Sequence, residues 1–166
     1  MKILGIDPGT ARLGYSIIEA YPGYSLYELL QCGIIETSKY QSEASKLNEI
    51  RKDLLTLVNH FEPDILSIEE LFFFKNQKTV IPVAQARGVV MQLAEEYSMK
   101  IYEYTPLQIK QVITGNGNAS KAEVEHFVMA DLKLEQKIQP DDAVDAVATA
   151  LCFLRSDYQK FVKIPN

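Results

Sequence analysis

LGIDPGTARLGYSI, residues 4–17, places one aspartate between an apolar run and a glycine turn. Met1–Asp7 is short, contains isoleucine and leucine, and stops at Pro8-Gly9, the pattern of a buried strand running into a turn. Leu13–Ala20 and Ser25–Glu36 continue as strand-like segments, and Tyr21-Pro22-Gly23-Tyr24 between them reads as a hairpin connection. Three antiparallel strands follow from this. Asp7, at the end of the first, has three readings: it shapes the turn, helps hold a nucleotide's phosphates, or binds a metal used in phosphodiester hydrolysis. The remaining sequence separates them.

Downstream, Ser42–Phe61 carries Leu47, Ile50, Leu54, Leu57, Val58 and Phe61 at helical spacing, and Pro63 stops it. Asp64–Glu69, DILSIE, is a fourth strand; Thr79–Tyr97 is a helix with Pro82 near its start; Lys100–Tyr104 is a fifth strand. Thr105-Pro106 opens a short helix to about Thr114, Gly115-Asn116-Gly117-Asn118 is a loop, and Ser120 caps a helix through about Lys133. The last helix begins at Pro140 or Asp141 and runs to about Arg155. This order predicts an α/β fold: a mixed five-stranded sheet, three antiparallel strands then two parallel additions, flanked by helices. Neither repeat nor linker interrupts it. Residues 1–156 read as a single domain and 157–166 as a short, weakly ordered C-terminal tail.

A chain of 166 residues, 47% hydrophobic and 23% charged, is long enough to bury a real core. No apolar run reaches the ~18 residues of a membrane span, and the first residues turn acidic too soon for a secretion signal. A cytoplasmic protein with no membrane partner is expected. Cys32 and Cys152 lie far apart in apolar patterns and read as small buried hydrophobes, while His60 and His126 fall inside amphipathic helices. A zinc site is therefore disfavoured. The net charge of −5 argues against a polyanionic partner, but its distribution qualifies that. Leu71–Ala94 holds no acid yet has Lys75, Lys78 and Arg87; Tyr104–Ala122 holds none yet has Lys110 and Lys121. Such separation of sign can build a basic face on an acidic protein.

In an α/β domain, functional groups gather where strands end. Asp7 closes the first strand and Glu69 the fourth, so the two carboxylates converge if those strands are neighbours. Asp141, Asp142 and Asp145 stand at the start of the last helix, whose apolar stripe is Val144, Val147, Leu151 and Leu154. Asp145 can act beside either Asp142 or Asp141 by helical geometry, and amphipathicity does not choose between them. Four clustered carboxylates repel unless cations sit between them, and an oxygen-only set suits Mg²⁺ or Mn²⁺. Two such ions would serve phosphodiester hydrolysis. Taken singly, each acid has a plainer role as helix-dipole partner, turn-former or solvated side chain.

IDPGTARLGYSI, IEELFFFKN (68–76), QARG (85–88), GNGNASK (115–121) and DAVDAVATA (142–150) together resemble the RuvC-type Holliday-junction resolvases, which are ribonuclease-H-like endonucleases. The match runs through almost the whole chain. It implies a ribonuclease-H-like fold and structure-selective cutting of four-way DNA junctions by paired symmetric nicks, with Mg²⁺ as cofactor, two ions per site, and Mn²⁺ able to substitute. The family's four metal-binding carboxylates fall on Asp7, Glu69, Asp142 and Asp145, with Asp141 an extra acid and the alternative to Asp142. Lys121 falls on a lysine beside the scissile phosphate, where it would stabilise developing charge. Lys110, Lys75 and Lys78, with Asn76 and Arg87, would hold DNA. Phe72 falls on the phenylalanine that stacks on junction bases, with Phe73 beside it. The resemblance also implies a homodimer contacting through about Thr79–Tyr97, and a branch-migration motor complex as a further partner.

Two features stand apart from the family pattern. The chain is acidic for a DNA nuclease, and Glu70 follows Glu69 where glutamine is common. Rival readings are a phosphotransferase or ATPase of the actin and sugar-kinase class, a related nuclease acting on RNA or other branched DNA, and a non-catalytic junction-binding module. The first needs two such domains to enclose a nucleotide. The last gains nothing from clustered anions facing phosphate.

Overall fold

The computed structural model describes residues 1–21, 26–71 and 77–157, with the backbone alone for 77–79. The expected hairpin connection at 22–24, the segment Phe72-Phe73-Phe74-Lys75-Asn76, and the tail from 158 lie outside the described residues. The elements are β1 (Lys2–Asp7), β2 (Arg12–Ala20), β3 (Tyr27–Glu36), α1 (Glu43–Phe61), β4 (Ile65–Glu69), α2 (Gln77–Glu96), β5 (Lys100–Tyr104), α3 (Pro106–Thr114), α4 (Lys121–Asp131) and α5 (Asp141–Ser156).

Local chemistry sets most boundaries. The Ser42 side chain accepts from the Ser45 amide to start α1, and Glu62 ends it in the left-handed region before Pro63. Thr105 with Gln108, and Ser120 with Glu123, form reciprocal capping boxes at α3 and α4. Two helix ends differ from expectation by two residues. Helix α2 starts at Gln77 rather than Thr79, which puts Pro82 in its second turn, where it forfeits one backbone bond. Helix α4 ends at Asp131 rather than Lys133, because Lys133 takes a positive φ of 52°.

The sheet order is β3-β2-β1-β4-β5. Strands β1, β2 and β3 pair antiparallel, and β4 and β5 add in parallel beside β1, the predicted mixed arrangement. Side chains alternate across the sheet. Ile3, Ile18 and Ile65 face one layer with α3, α4 and α5, packing on Val147, Leu151 and Phe153. Leu4, Ile6, Leu66 and Ile68 face the other, against Leu54 of α1 and Val90 of α2. Full burial of such side chains stabilises by about 1.5–3 kcal/mol each.

Helix α5 departs from the one-sided stripe the sequence suggests. Every residue from Ala143 to Phe153 except Asp145 is buried. It lies directly on the sheet, which only small residues permit. A Cβ on Gly5 would sit 2.3 Å from the Ala146 carbonyl oxygen, and one on Gly14 would sit 2.0 Å from that of Asp142. Two sheet hydroxyls grip the helix backbone: Ser16 Oγ donates to the Ala146 carbonyl at 3.0 Å, and Ser67 Oγ to the Thr149 carbonyl at 2.6 Å. Those contacts lock the helix against β2 and β4. Cys152 is fully buried and Cys32 half-buried, consistent with small apolar roles, while His60 and His126 are exposed on their helices. Among the described residues, no helix is long and apolar enough to cross a membrane.

Candidate active site

Strands β1 and β4 are parallel neighbours, paired from Ile3–Ile65 to Ile6–Ile68. Asp7 and Glu69 come one residue later on each strand, at the same sheet edge. Alternation then fixes their face. Ile3 and Gly5 of β1, and Ile65 and Ser67 of β4, point toward α5, so Asp7 and Glu69 do as well. The first turn of α5 brings Asp142 and Asp145 to that face. Its position there depends on Gly14, which meets the Asp142 backbone and lies opposite Asp7 in the β1–β2 ladder.

The electrostatics record this convergence. Burial pushes the Asp7 carboxyl up to about 8, with Glu69, Asp145 and Asp142 adding repulsion and Lys121 opposing it. Burial and Asp145 push Glu69 up to about 7 against the pull of Lys121 and Lys110. Asp141 behaves differently. Its side chain is exposed, it accepts from Lys121, and that hydrogen bond holds its carboxyl below the usual range.

Lys121, the first residue of α4, reaches across to α5. Its Nζ donates to Asp145 Oδ2 at 2.8 Å and to Asp141 Oδ2 at 2.9 Å. Partial desolvation works against the ammonium, but the bonds to Asp145 and Asp141 raise its pKa on balance. Lys110 of α3 stands close enough to Glu69 to favour its charged form. With Lys121 it lines a cleft of about 240 Å³ that also takes in Glu69, Ile109 and Asp145. Arg87 is half-buried on α2 and forms an ion pair with Glu103 of β5. Lys78 lies in α2 and its side chain is outside the described residues, as are Phe72, Phe73, Lys75 and Asn76 entirely.

No three of the described Asp, Glu, His and Cys side chains stand as a preformed metal-binding group, and Asp145 is turned to Lys121. The donor chemistry nevertheless fits a hard divalent cation. All four acids offer oxygen alone, and Asp7 and Glu69 are held above the ordinary carboxylate range by burial and by neighbouring acids, a cost that a cation would relieve.

Sequence reasoning missed several supporting residues. Ser67 lies outside the quoted motifs, and Ser16 and Thr149 lie inside two of them without a role of their own; Thr149 Oγ1 donates to the Asp145 carbonyl at 2.8 Å, inside the helix turn that presents Asp145. The signal for Ser67 was its place two residues before Glu69, on the same strand face.

A mixed sheet of this order, with part-buried carboxylates at the ends of its two central parallel strands and on the crossing helix, defines a ribonuclease-H-like nuclease. The family described as crossover junction endodeoxyribonuclease RuvC matches residues 3–153. The relative of that name from Caldicellulosiruptor saccharolyticus is 43% identical over 156 residues, covering 94% of this chain and 93% of the relative. That from Prochlorococcus marinus strain MIT 9312 is 46% identical over 157 residues, covering 95% of this chain and 98% of its own. Among solved structures, Thermus thermophilus RuvC in complex with a Holliday junction substrate superposes with a TM-score of 0.89 at 29% identity, covering 96% of each chain. Fowlpox virus resolvase in complex with its junction DNA, at 13% identity and a TM-score of 0.64, shares the fold; 93% of this chain and 99% of that one are covered. The chain belongs to the RuvC family of crossover junction endodeoxyribonucleases, a family of metal-dependent nucleases.

Proposed function

We propose that this enzyme resolves four-way DNA junctions with Asp7, Glu69, Asp142 and Asp145 as the catalytic carboxylates. The observation that carries the assignment is the arrival of these four acids, from β1, β4 and α5, on one face of one sheet edge. They would hold two Mg²⁺ ions, with Mn²⁺ able to replace them. When bound, such ions supply an activated water and charge stabilisation on the leaving oxygen.

The chain's own residues do the rest. Asp142, whose charge acts on Asp7, is the third ligand, and Asp141 serves Lys121 instead. Lys121 faces the phosphate and offsets the charge that develops on it. Lys110, at the same cleft, steadies the neighbouring backbone and lowers the cost of charge on Glu69. Lys75, Asn76, Lys78 and Arg87 extend the DNA contact, Arg87 by exchanging Glu103 for phosphate. Phe72, supported by Phe73, stacks on bases at the crossover.

Two such sites are needed for paired nicks, and a two-fold dimer provides them. Helix α2 supports that reading. Val90 and Leu93 are spent on the core, but Ile81, Ala84, Gln85 and Gly88 form an exposed face at helical spacing, and Ile81 is 68% exposed. The enzyme would act in the cytoplasm, beside a branch-migration motor complex.

The test offers the protein a synthetic four-way junction, matched duplex and an RNA–DNA hybrid, with and without Mg²⁺. Symmetric paired nicks in the junction alone, only with Mg²⁺, are expected. Preferential cutting of the hybrid would transfer the assignment to an RNA-directed nuclease, and junction binding without cutting would leave a binding module.

A further inference from the structure

We propose that Gln111 is a positioning residue for the loop that carries Lys121, a role that rests on the assignment of Lys121 to the active site. Helix α3 ends at Gly115, whose φ of +79° turns the chain out of the helix. From there six residues lead to Lys121, and one side chain spans the first part of that path. Gln111 Nε2 donates to the Gly115 carbonyl at 2.7 Å, while Gln111 Oε1 accepts from the Gly117 amide at 3.0 Å. Its backbone carbonyl also accepts from the Gly115 amide at 3.0 Å. Only a carboxamide of this length offers a donor and an acceptor side by side.

The platform beneath Gln111 is itself held. Arg155 of α5 donates to the Ile113 carbonyl at 3.0 Å and pairs with Asp131 of α4 at 2.6 Å, tying the last turn of α3 to both following helices. Beyond Gly117 the path stays fixed. The Asn118 amide donates to Asn116 Oδ1 at 3.0 Å, and the Ala119 amide to the Asn116 carbonyl at 3.0 Å, with Ala119 buried. Ser120 then locks onto Glu123 through two bonds of 2.7 Å, and Lys121 follows as the first residue of α4. Gly117 lies against Leu107, where a Cβ would come within 3.1 Å of the leucine Cγ.

Hydrogen bonds thus fix the path from Gln111 as far as Ser120, the residue before Lys121. Hydrolysis needs the ammonium at one place beside Asp145, and small displacements of such a group are costly to rate. Gln111 touches neither the carboxylates nor, on this reading, the phosphate.

The test compares wild type with Gln111→Met, which keeps the length and loses both side-chain bonds, and Gln111→Glu, which keeps only the acceptor for Gly117. Amide exchange at Gly117 is measured in the metal-free protein, junction affinity without Mg²⁺, and single-turnover cleavage at saturating junction. Gln111→Met is expected to speed Gly117 exchange by about tenfold or more. It should slow saturating cleavage about tenfold while affinity stays within about twofold, and Gln111→Glu should recover part of both. Unchanged Gly117 exchange, unchanged saturating cleavage, or a loss confined to affinity overturns the proposal. Should Gln111→Met fail to fold in thermal unfolding, Gln111→Glu carries the same comparison against wild type. If Lys121→Ala cleaves normally, the Lys121 reading fails, and the Gly117 exchange still reports whether the clamp exists.

Discussion

Asp7→Asn should stabilise the metal-free protein increasingly as pH rises. In the unfolded chain Asp7 titrates near its ordinary 3.8; in the folded protein burial and the surrounding acids push it up to about 8. The folded state therefore binds more protons across that window, and stability must fall as pH rises from about 4 to about 8, with the whole penalty present above it. The window spans about four pH units, an upper limit of roughly 6 kcal/mol at 1.36 kcal/mol per unit. Lys121 beside the cluster and water at its mouth screen part of this, so a gain on the order of 2 kcal/mol between pH ~5 and ~8.5 is expected. For a chain of this size that widens the melting-temperature difference by about 4–8 °C. Thermal unfolding in a chelator at both pH values measures it. Mg²⁺ added at the higher pH should raise the wild-type melting temperature and leave Asp7→Asn nearly unmoved. A difference that does not change with pH, or a variant less stable than wild type at the higher pH, would refute the buried-cluster argument; cleavage surviving the substitution would remove Asp7 from the chemistry.

Three further outcomes can be checked. Gly14→Ala drives a Cβ to 2.0 Å from the Asp142 carbonyl and should cost about 1–3 kcal/mol in unfolding experiments while reducing cleavage more than junction binding. Asp142→Asn should abolish both nicking and Mg²⁺ stabilisation, whereas Asp141→Asn removes an exposed ion pair worth at most about 1 kcal/mol and should slow cleavage no more than about fivefold; reversed outcomes would make Asp141 the ligand. Phe72→Ala removes stacking worth ~1–3 kcal/mol and should slow resolution of an intact junction more than of one with unpaired crossover bases, equal slowing counting against base opening.

Element order and most boundaries were legible from local chemistry, because caps, prolines and glycines act within a few residues of where they stand. Ser42, Thr105, Ser120 and Pro63 mark helix ends in the structure as they do in the sequence. The α2 start was less legible, since Pro82 is tolerated at more than one place in the first turns. Asp7 and Glu69 could be picked out as strand-end acids, and their convergence followed once β1 and β4 proved to be parallel neighbours.

What the sequence by itself determined was the order of strands and helices, the five motifs and the acids within them. It did not choose between Asp141 and Asp142, because helical spacing puts either beside Asp145. Tertiary structure gives the two different surroundings, which supports Asp142 as the proposed ligand: Asp142 adds repulsion at Asp7 and its backbone meets Gly14, while Asp141 turns outward to Lys121. It also buried α5 around most of its circumference and built the Gln111 bridge across the glycine loop. The physical reason is the same in each case. Periodicity reports which face of one element is apolar, but the direction of a carboxylate, the closeness of a helix to a sheet and the partners of an amide depend on neighbours distant in sequence.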